Sequence, residues 1–270
     1  MTHILRLSRS AAVLAAATAL LWPAAHAADA SASLQVVSVD FIPSQGLSLQ
    51  WLSDSAFQSL YAESREAGGL GGNSLQEPAP LASWAAQSLS TGTAHVGASA
   101  QAAADGTLAL QAQAERALFG NGLAQPHTGS TWAQQAGAFG LSGIGQVTIV
   151  VHYTLAATAP LGDGNDSFAQ ATLSVSAGNL DSNLGSSQQV ALWSADLPGG
   201  SGSSSGSLSF VVDLAEAGQT GYYDLRANVD VAATAAVPEP GSWALLAGGL
   251  GLLAGVARRR RTAVPQGQGA

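Results

Sequence analysis

Hydrophobic and polar residues alternate along most of this chain with a period of two. The clearest run is Val147–Ala156. There Val147, Ile149, Val151, Tyr153 and Leu155 fall on one side, and Thr148, His152 and Thr154 on the other. That period marks a strand with one face buried. Ser167–Ala177 repeats it through Ala169, Ala171, Leu173 and Val175, and Leu208–Leu214 through Phe210 and Val212. Tyr222–Val231 is predicted to bury Tyr223, Leu225, Ala227, Val229 and Val231 and to expose Asp224, Arg226, Asn228 and Asp230. Val190–Ala195 reads as a shorter strand. Leu34–Ile42 and Leu47–Leu52 read as a first strand pair turned by Ser44-Gln45-Gly46. Thr93–Ala103 and Thr107–Ala114 flank Asp105-Gly106, a dipeptide that favours a type I′ hairpin turn.

Five stretches depart from this period, one of them a Gly- and Pro-rich loop over Gly68–Pro80. In Asp54–Ala67, Phe57, Leu60 and Tyr61 fall at helical spacing, Ser55 with Gln58 fits a capping box, and Gly68-Gly69 would end the helix. Leu81, Trp84, Ala85 and Leu89 share one face of a second short helix over Leu81–Leu89. Gly120–Gly145 reads as irregular and glycine-rich, and Gly199–Ser207 as a Ser/Gly loop. Roughly nine or ten short strands with turn signals between them predict a mainly β fold. The expected form is an antiparallel β-sandwich, jelly-roll-like, with one or two short helices. No fixed-period repeat interrupts it.

The two ends have a different composition. Arg6 and Arg9 precede the apolar run Ala11–Leu21, and Ala25-His26-Ala27 matches a small-x-small cleavage pattern. This is the form of a secretory signal peptide, processed by signal peptidase after export through the Sec machinery, so the mature chain is expected to begin near Ala28. The expected organisation is a signal peptide over 1–27, an exported domain over 28–236, a sorting and anchor segment over 237–261 and a short cytoplasmic tail over 262–270. The exported region has no cysteine and must hold its core without disulfides. It carries three arginines (Arg65, Arg116, Arg226), no lysine and sixteen carboxylates, a formal −13. Such a surface repels nucleic acid and anionic lipid.

The stretch Val237–Arg261 has three parts in order: Val237-Pro238-Glu239-Pro240, the uncharged run Gly241–Ala257, and Arg258, Arg259, Arg260 and Arg261. As a helix the run would reach about 25 Å, at the short end of a membrane span. Its glycines are common in membrane helices, and Trp243 stands where an interfacial aromatic would. The arginines would hold that end in the cytoplasm and leave everything before Val237 outside. Pro238 and Pro240 keep the preceding segment extended and open to a processing enzyme. This order resembles the PEP-CTERM sorting signal of Gram-negative bacteria. The resemblance covers about a tenth of the chain, and Thr262–Ala270 runs on past the arginines where that family usually stops. It implies Val237, Pro238, Glu239 and Pro240 as the recognition segment of an exosortase, Gly241–Ala257 as a transient anchor and Arg258–Arg261 as the membrane stop. It also implies release to the cell surface and association with exopolysaccharide and biofilm matrix.

Candidate chemistry is sparse. Leu161–Phe168 reads LGDGNDSF, and Asp163, Asn165 and Asp166 are the calcium candidates there. Asp163, Asn165 and Ser167 mimic the first three ligand positions of an EF-hand loop, but Phe168 replaces its glycine and Ser174 its closing glutamate. A single calcium-repeat copy lacks stacked neighbours. Asp163-x-Asn165-x-Ser167 also resembles an extended N-glycosylation acceptor. The plain alternative is a tight turn between strong strands, which Gly, Asn and Asp favour. Gly143-x-Gly145 precedes a strand, the reverse of the dinucleotide-binding order. Gly202–Gly206 has the letters of a nucleophile elbow without its strand-to-helix setting. His95, His127 and His152 show no metal-ligand spacing, and no other cofactor is indicated. Trp51, Trp84, Trp132 and Trp193 are expected mainly in the core, while exposed ones would suit sugar rings. The chain is therefore expected to be an exported, non-enzymatic surface or matrix protein, structural or adhesive. A carbohydrate-binding module and, behind it, a secreted hydrolase are the alternatives.

Overall fold

The computed structural model describes residues 29–52, 55–66, 73–76, 84–116, 126–160 and 167–234. In chain order the strands are β1 (Ala30–Pro43), β2 (Leu49–Trp51), β3 (Phe57–Glu66), β4 (Asn73–Gln76), β5 (Gln87–Gly92), β6 (Val96–Ala102), β7 (Leu108–Ala114), β8 (His127–Leu141), β9 (Gly145–Thr158), β10 (Phe168–Asn179), β11 (Leu184–Trp193), β12 (Ser201–Leu214) and β13 (Gly221–Ala233). They form two antiparallel sheets. Sheet A runs β12-β9-β1-β7-β6-β5, and sheet B runs β11-β10-β13-β8-β3-β4 with β2 paired to the far end of β8. The inner faces close on one core that holds Leu34, Leu110, Ile149 and Val151 from sheet A, and Leu60, Phe139, Leu173 and Leu225 from sheet B. Each such side chain contributes about 1.5–3 kcal/mol of apolar burial. The expected alternation is met on β9, β10 and β13, where all five residues predicted to be buried on β13 are buried.

Five expectations give way, the simplest being the loop over 68–80, within which β4 forms and pairs with β3. The helix over 54–67 is instead β3, whose inner face mixes apolar with polar residues, Gln58 and Glu66 among them being hydrogen-bonded. Gln58, Leu60, Ala62, Ser64 and Glu66 alternate inward and are all buried. Gln58 donates to the Ala85 carbonyl at 2.8 Å and accepts from Gln135 at 3.0 Å, so it occupies a core position without loss of hydrogen bonds. The helix over 81–89 also fails in its described part: residues 84–86 have no regular structure and β5 begins at Gln87. Among the described residues no α-helix forms; two single 3₁₀ turns, Ser194–Asp196 and Pro198–Gly200, join β11 to β12. The irregular stretch 120–145 contains the fifteen-residue β8, and the Ser/Gly loop 199–207 is mostly the first half of β12.

The reason for these last two is common to both. Glycines here mark places where a large side chain lies flat on the backbone. A Cβ on Gly137 would stand 2.9 Å from the Trp51 ring, and one on Gly206 would stand 2.8 Å from the Tyr153 hydroxyl. Gly in a strand interior often marks such a close approach.

The expected pairing of the first two strands is also corrected. β1 lies between β7 and β9, while β2 crosses to sheet B. There β2 and β3 follow one another along the same edge of β8. Between them the Ser55 hydroxyl donates to the carbonyl of Leu52 or Ala138 (2.8 and 3.0 Å) and accepts from the Ala138 amide at 2.9 Å, standing in for ladder bonds. At the β6–β7 hairpin only Gly106 has positive φ, at 87°, so the turn is not type I′. The Asp105 carboxylate instead holds the Thr107 amide at 3.1 Å and its hydroxyl at 2.8 Å.

Candidate functional site

The residues singled out for sorting, membrane stop and calcium lie outside the described residues. These are Val237, Pro238, Glu239 and Pro240; Arg258, Arg259, Arg260 and Arg261; and Asp163, Asn165 and Asp166. Their nearest described neighbours meet at one end of the domain. β9 stops at Thr158, β10 starts at Phe168 and β13 stops at Ala233. The Thr234 amide donates to the Ser167 hydroxyl at 3.2 Å, closing that rim where the chain runs on towards residue 236.

The same rim gathers two of the three histidines. Glu66 and His127 are cross-strand partners on β3 and β8. His95, just before β6 on the opposite sheet, brings its ring to 5.4 Å from that of His127, near perpendicular. Its backbone amide donates to the Glu66 carboxylate at 2.9 Å, and its Nδ1 lies 3.6 Å from Glu115. His152 faces outward on β9, remote from this group. No spacing in the sequence announced the meeting, because two strands of one sheet and the turn before a strand of the other supply it.

Burial would raise the pKa of Glu66. The Thr93 hydroxyl, the His95 amide and the adjacent imidazoles overcome this and hold it below the usual carboxylate range. Among the described residues no three such side chains are arranged to hold a metal ion. The depressed value fixes a sign. Glu66 stabilises the fold fully above its unfolded-state pKa, and that contribution is lost as pH falls through the lower folded value. Glu66→Gln is expected to flatten the acid limb of a urea-midpoint profile taken between about pH 6 and pH 3. An unchanged limb would remove the assignment.

The letters of the nucleophile elbow, Gly202–Gly206, are extended strand paired to Ala157–Tyr153 of β9. A strand offers none of the sharp turn that such a nucleophile needs. The buried Tyr223 hydroxyl is no better suited to acid–base work. Burial first, then the charge of Asp224, push its pKa well above the ordinary phenol value.

The outer face of sheet B carries the other concentration of chemistry. Tyr61 and Trp132 are directly paired across β3 and β8, with rings 5.9 Å apart and parallel within 13°. The Tyr61 hydroxyl donates to Glu63 at 2.7 Å, and Arg65 is ion-paired to the same carboxylate. That hydroxyl bond, with Arg65 against the opposing effect of burial, holds Glu63 below the usual carboxylate range. On β8 and β13, Ser130 and Asn228 donate to Asp230, and Gln134 and Arg226 donate to Asp224. Further along the face Trp193 is 46 % exposed and Phe168 40 % exposed. Trp84 and Trp51 do other work. They cluster with Phe41, and the indole N–H of Trp84 donates to the Ala136 carbonyl at 2.9 Å.

Residues 236–261 match the family model described as the PEP-CTERM protein-sorting motif. No curated protein and no solved structure matches the chain. The match spans the Val-Pro-Glu-Pro segment, the apolar run and the four arginines together, beginning three residues after the last strand of the domain ends. The chain carries a PEP-CTERM sorting motif, and this supports its place among the exosortase substrates.

Proposed function

We propose that this chain is an exported protein whose two-sheet domain passes through the inner membrane and faces the periplasm. A C-terminal helix then anchors it transiently, and an exosortase delivers it to the cell surface or exopolysaccharide matrix. There it serves as a structural or adhesive component and not as an enzyme. The motif at residues 236–261 carries this reading. A signal peptide over 1–27, cleaved by signal peptidase after Sec export, fits the same route. The domain's many carboxylates and its lack of cysteine suit an exposed life without redox assistance. Strands that pass between the two sheets at most connections support a jelly-roll-like wiring.

Replacing Pro238, Glu239 and Pro240 together with alanine tests the route. The expected result is full-length protein retained in the inner membrane, while the parent chain reaches the surface shortened at both ends, as read by intact mass. Equal release of both would remove the processing claim.

A second reading is favoured by the Tyr61–Trp132 pair and its flanking carboxylates and amides. On this reading the outer face of sheet B binds a neutral polysaccharide, with ring faces against sugar C–H groups and the polar neighbours on hydroxyls. Trp132→Ala is expected to abolish retardation of the protein in polysaccharide-containing native gels. If the parent protein is not retarded by neutral polysaccharides, this reading fails.

A further inference from the structure

We propose that the flank formed by β11 and β12 is a self-association surface, on which a second copy of this chain pairs β11 against β11. Both sheets end on this flank in long strands, ten residues for β11 and fourteen for β12. On the opposite flank they end in strands of four and six residues, β4 and β5. Short edges are a usual protection against edge-to-edge pairing, and the β11–β12 flank has none of it. β11 contains no proline, and eight of its ten residues are exposed.

Charge points to the same partner. Two copies of a domain with sixteen carboxylates and three arginines repel one another over most of their surface. β11 itself carries no charge, and from Leu180 to Leu214 the charged residues are Asp181, Asp196 and Asp213, none of them within β11. Along β11 two like copies meet with least repulsion, and the strand offers a strongly charged foreign partner nothing to pair with. Four of the nine exposed large apolar side chains among the described residues lie on this flank. Leu180 (53 %), Leu184 (71 %), Trp193 (46 %) and Val211 (60 %) all stand here. Gln188 ties the two edges together by donating to the Ser209 carbonyl at 3.1 Å.

The register of such a pair follows from the sheet. A two-fold axis normal to the sheet keeps core side with core side, so residues of equal parity oppose one another. With Gln188 on the axis, Leu184 meets Leu192 of the second copy and Ser186 meets Val190. On the outer side Gly185 meets Ala191 and Ser187 meets Gln189. No charge is opposed, and the most exposed leucine gains an apolar neighbour. The surface is independent of the sorting motif, so its failure would leave that reading untouched.

Sedimentation velocity of the full chain in detergent, over about a hundredfold concentration range, is the test. The parent chain is expected to pass from monomer to dimer. Ser187→Lys with Gln189→Lys, on the open edge, should weaken association at least about tenfold. Ser88→Lys with Ser90→Lys on β5 should leave it unchanged. Because the chain has no cysteine, Gln188→Cys gives a second readout: mild oxidation should yield a covalent dimer, and Ser88→Cys should not. A parent chain that stays monomeric overturns the proposal. So does equal weakening by both lysine pairs, or association untouched by Ser187→Lys with Gln189→Lys, which would place the contact elsewhere, as in residues 241–257. If the lysine pair unfolds the domain, the cysteine variant decides, and absence of its covalent dimer is equally fatal.

Discussion

Phe139→Ala is expected to destabilise the domain by about 3–5 kcal/mol, the range for emptying a fully buried aromatic site. Phe139 is entirely buried on β8. Its ring packs edge-on against Phe41 and Trp51, at 6.1 and 5.8 Å between centroids. It also fills the space over Gly221, where any Cβ would strike it. The hole left by alanine is walled by two sheets, which cannot close into it without breaking ladder bonds, and by the Trp51 indole. β2 should loosen as well, because Trp51 is paired directly to Phe139 across the strands. Denaturant unfolding of the two proteins measures the loss. Val211→Ala, on a side chain 60 % exposed, should stay within about 0.5 kcal/mol. If the two substitutions have similar effects, the aromatic cluster is not the core it is taken to be.

Gly178→Ala is the second large effect, and it acts by insertion. On β10, Gly178 is paired to Gly185 of β11 and to Tyr222 of β13. A Cβ there would collide with the Leu184 carbonyl, stand 2.5 Å from the Gly185 Cα and 2.8 Å from the Tyr222 ring. Two of these obstacles are backbone and cannot rotate away. The expected loss is about 3 kcal/mol, at the upper end for overpacking, and it should concentrate in the β10–β11 hairpin. Hydrogen exchange resolved along the chain would show β11 amides losing protection before those of β8 and β9. Combining it with Tyr222→Ala should recover little, since the ring is only one of the three obstacles. Full recovery would mean that the ring alone sets the limit. Distortion of β11 should also weaken the edge pairing proposed above.

These two positions show how far the chain can be read without its fold. Phe139 lies in a stretch that the sequence marks only as glycine-rich, and Gly178 follows a run whose alternation is plain. The alternating segments 147–156, 167–177 and 222–231 are legible because one face is apolar throughout, and a period of two then leaves no other arrangement. β3 is not legible in this way. Its inner face holds Gln58, Ser64 and Glu66, and partners remote in sequence, Ala85, Gln135 and His95 among them, make two of those three hydrogen-bonded there. The Glu66–His95–His127 group is hidden for the same cause, since its members come from two strands of one sheet and a turn of the other.

The sequence by itself determined the mainly antiparallel β character of the domain, its acidity, its independence of disulfides and the sorting motif at residues 236–261. All of these rest on composition or on contiguous order, which local chemistry expresses directly. The tertiary structure alone decided that β2 belongs to the sheet opposite β1. It also decided that glycine-rich segments are strands lying under aromatic rings, that two histidines meet two glutamates at the rim, and that β11 and β12 form an open, nearly uncharged flank. Each of these depends on which residues distant in sequence are brought face to face, and strand pairing settles that only when the whole core closes.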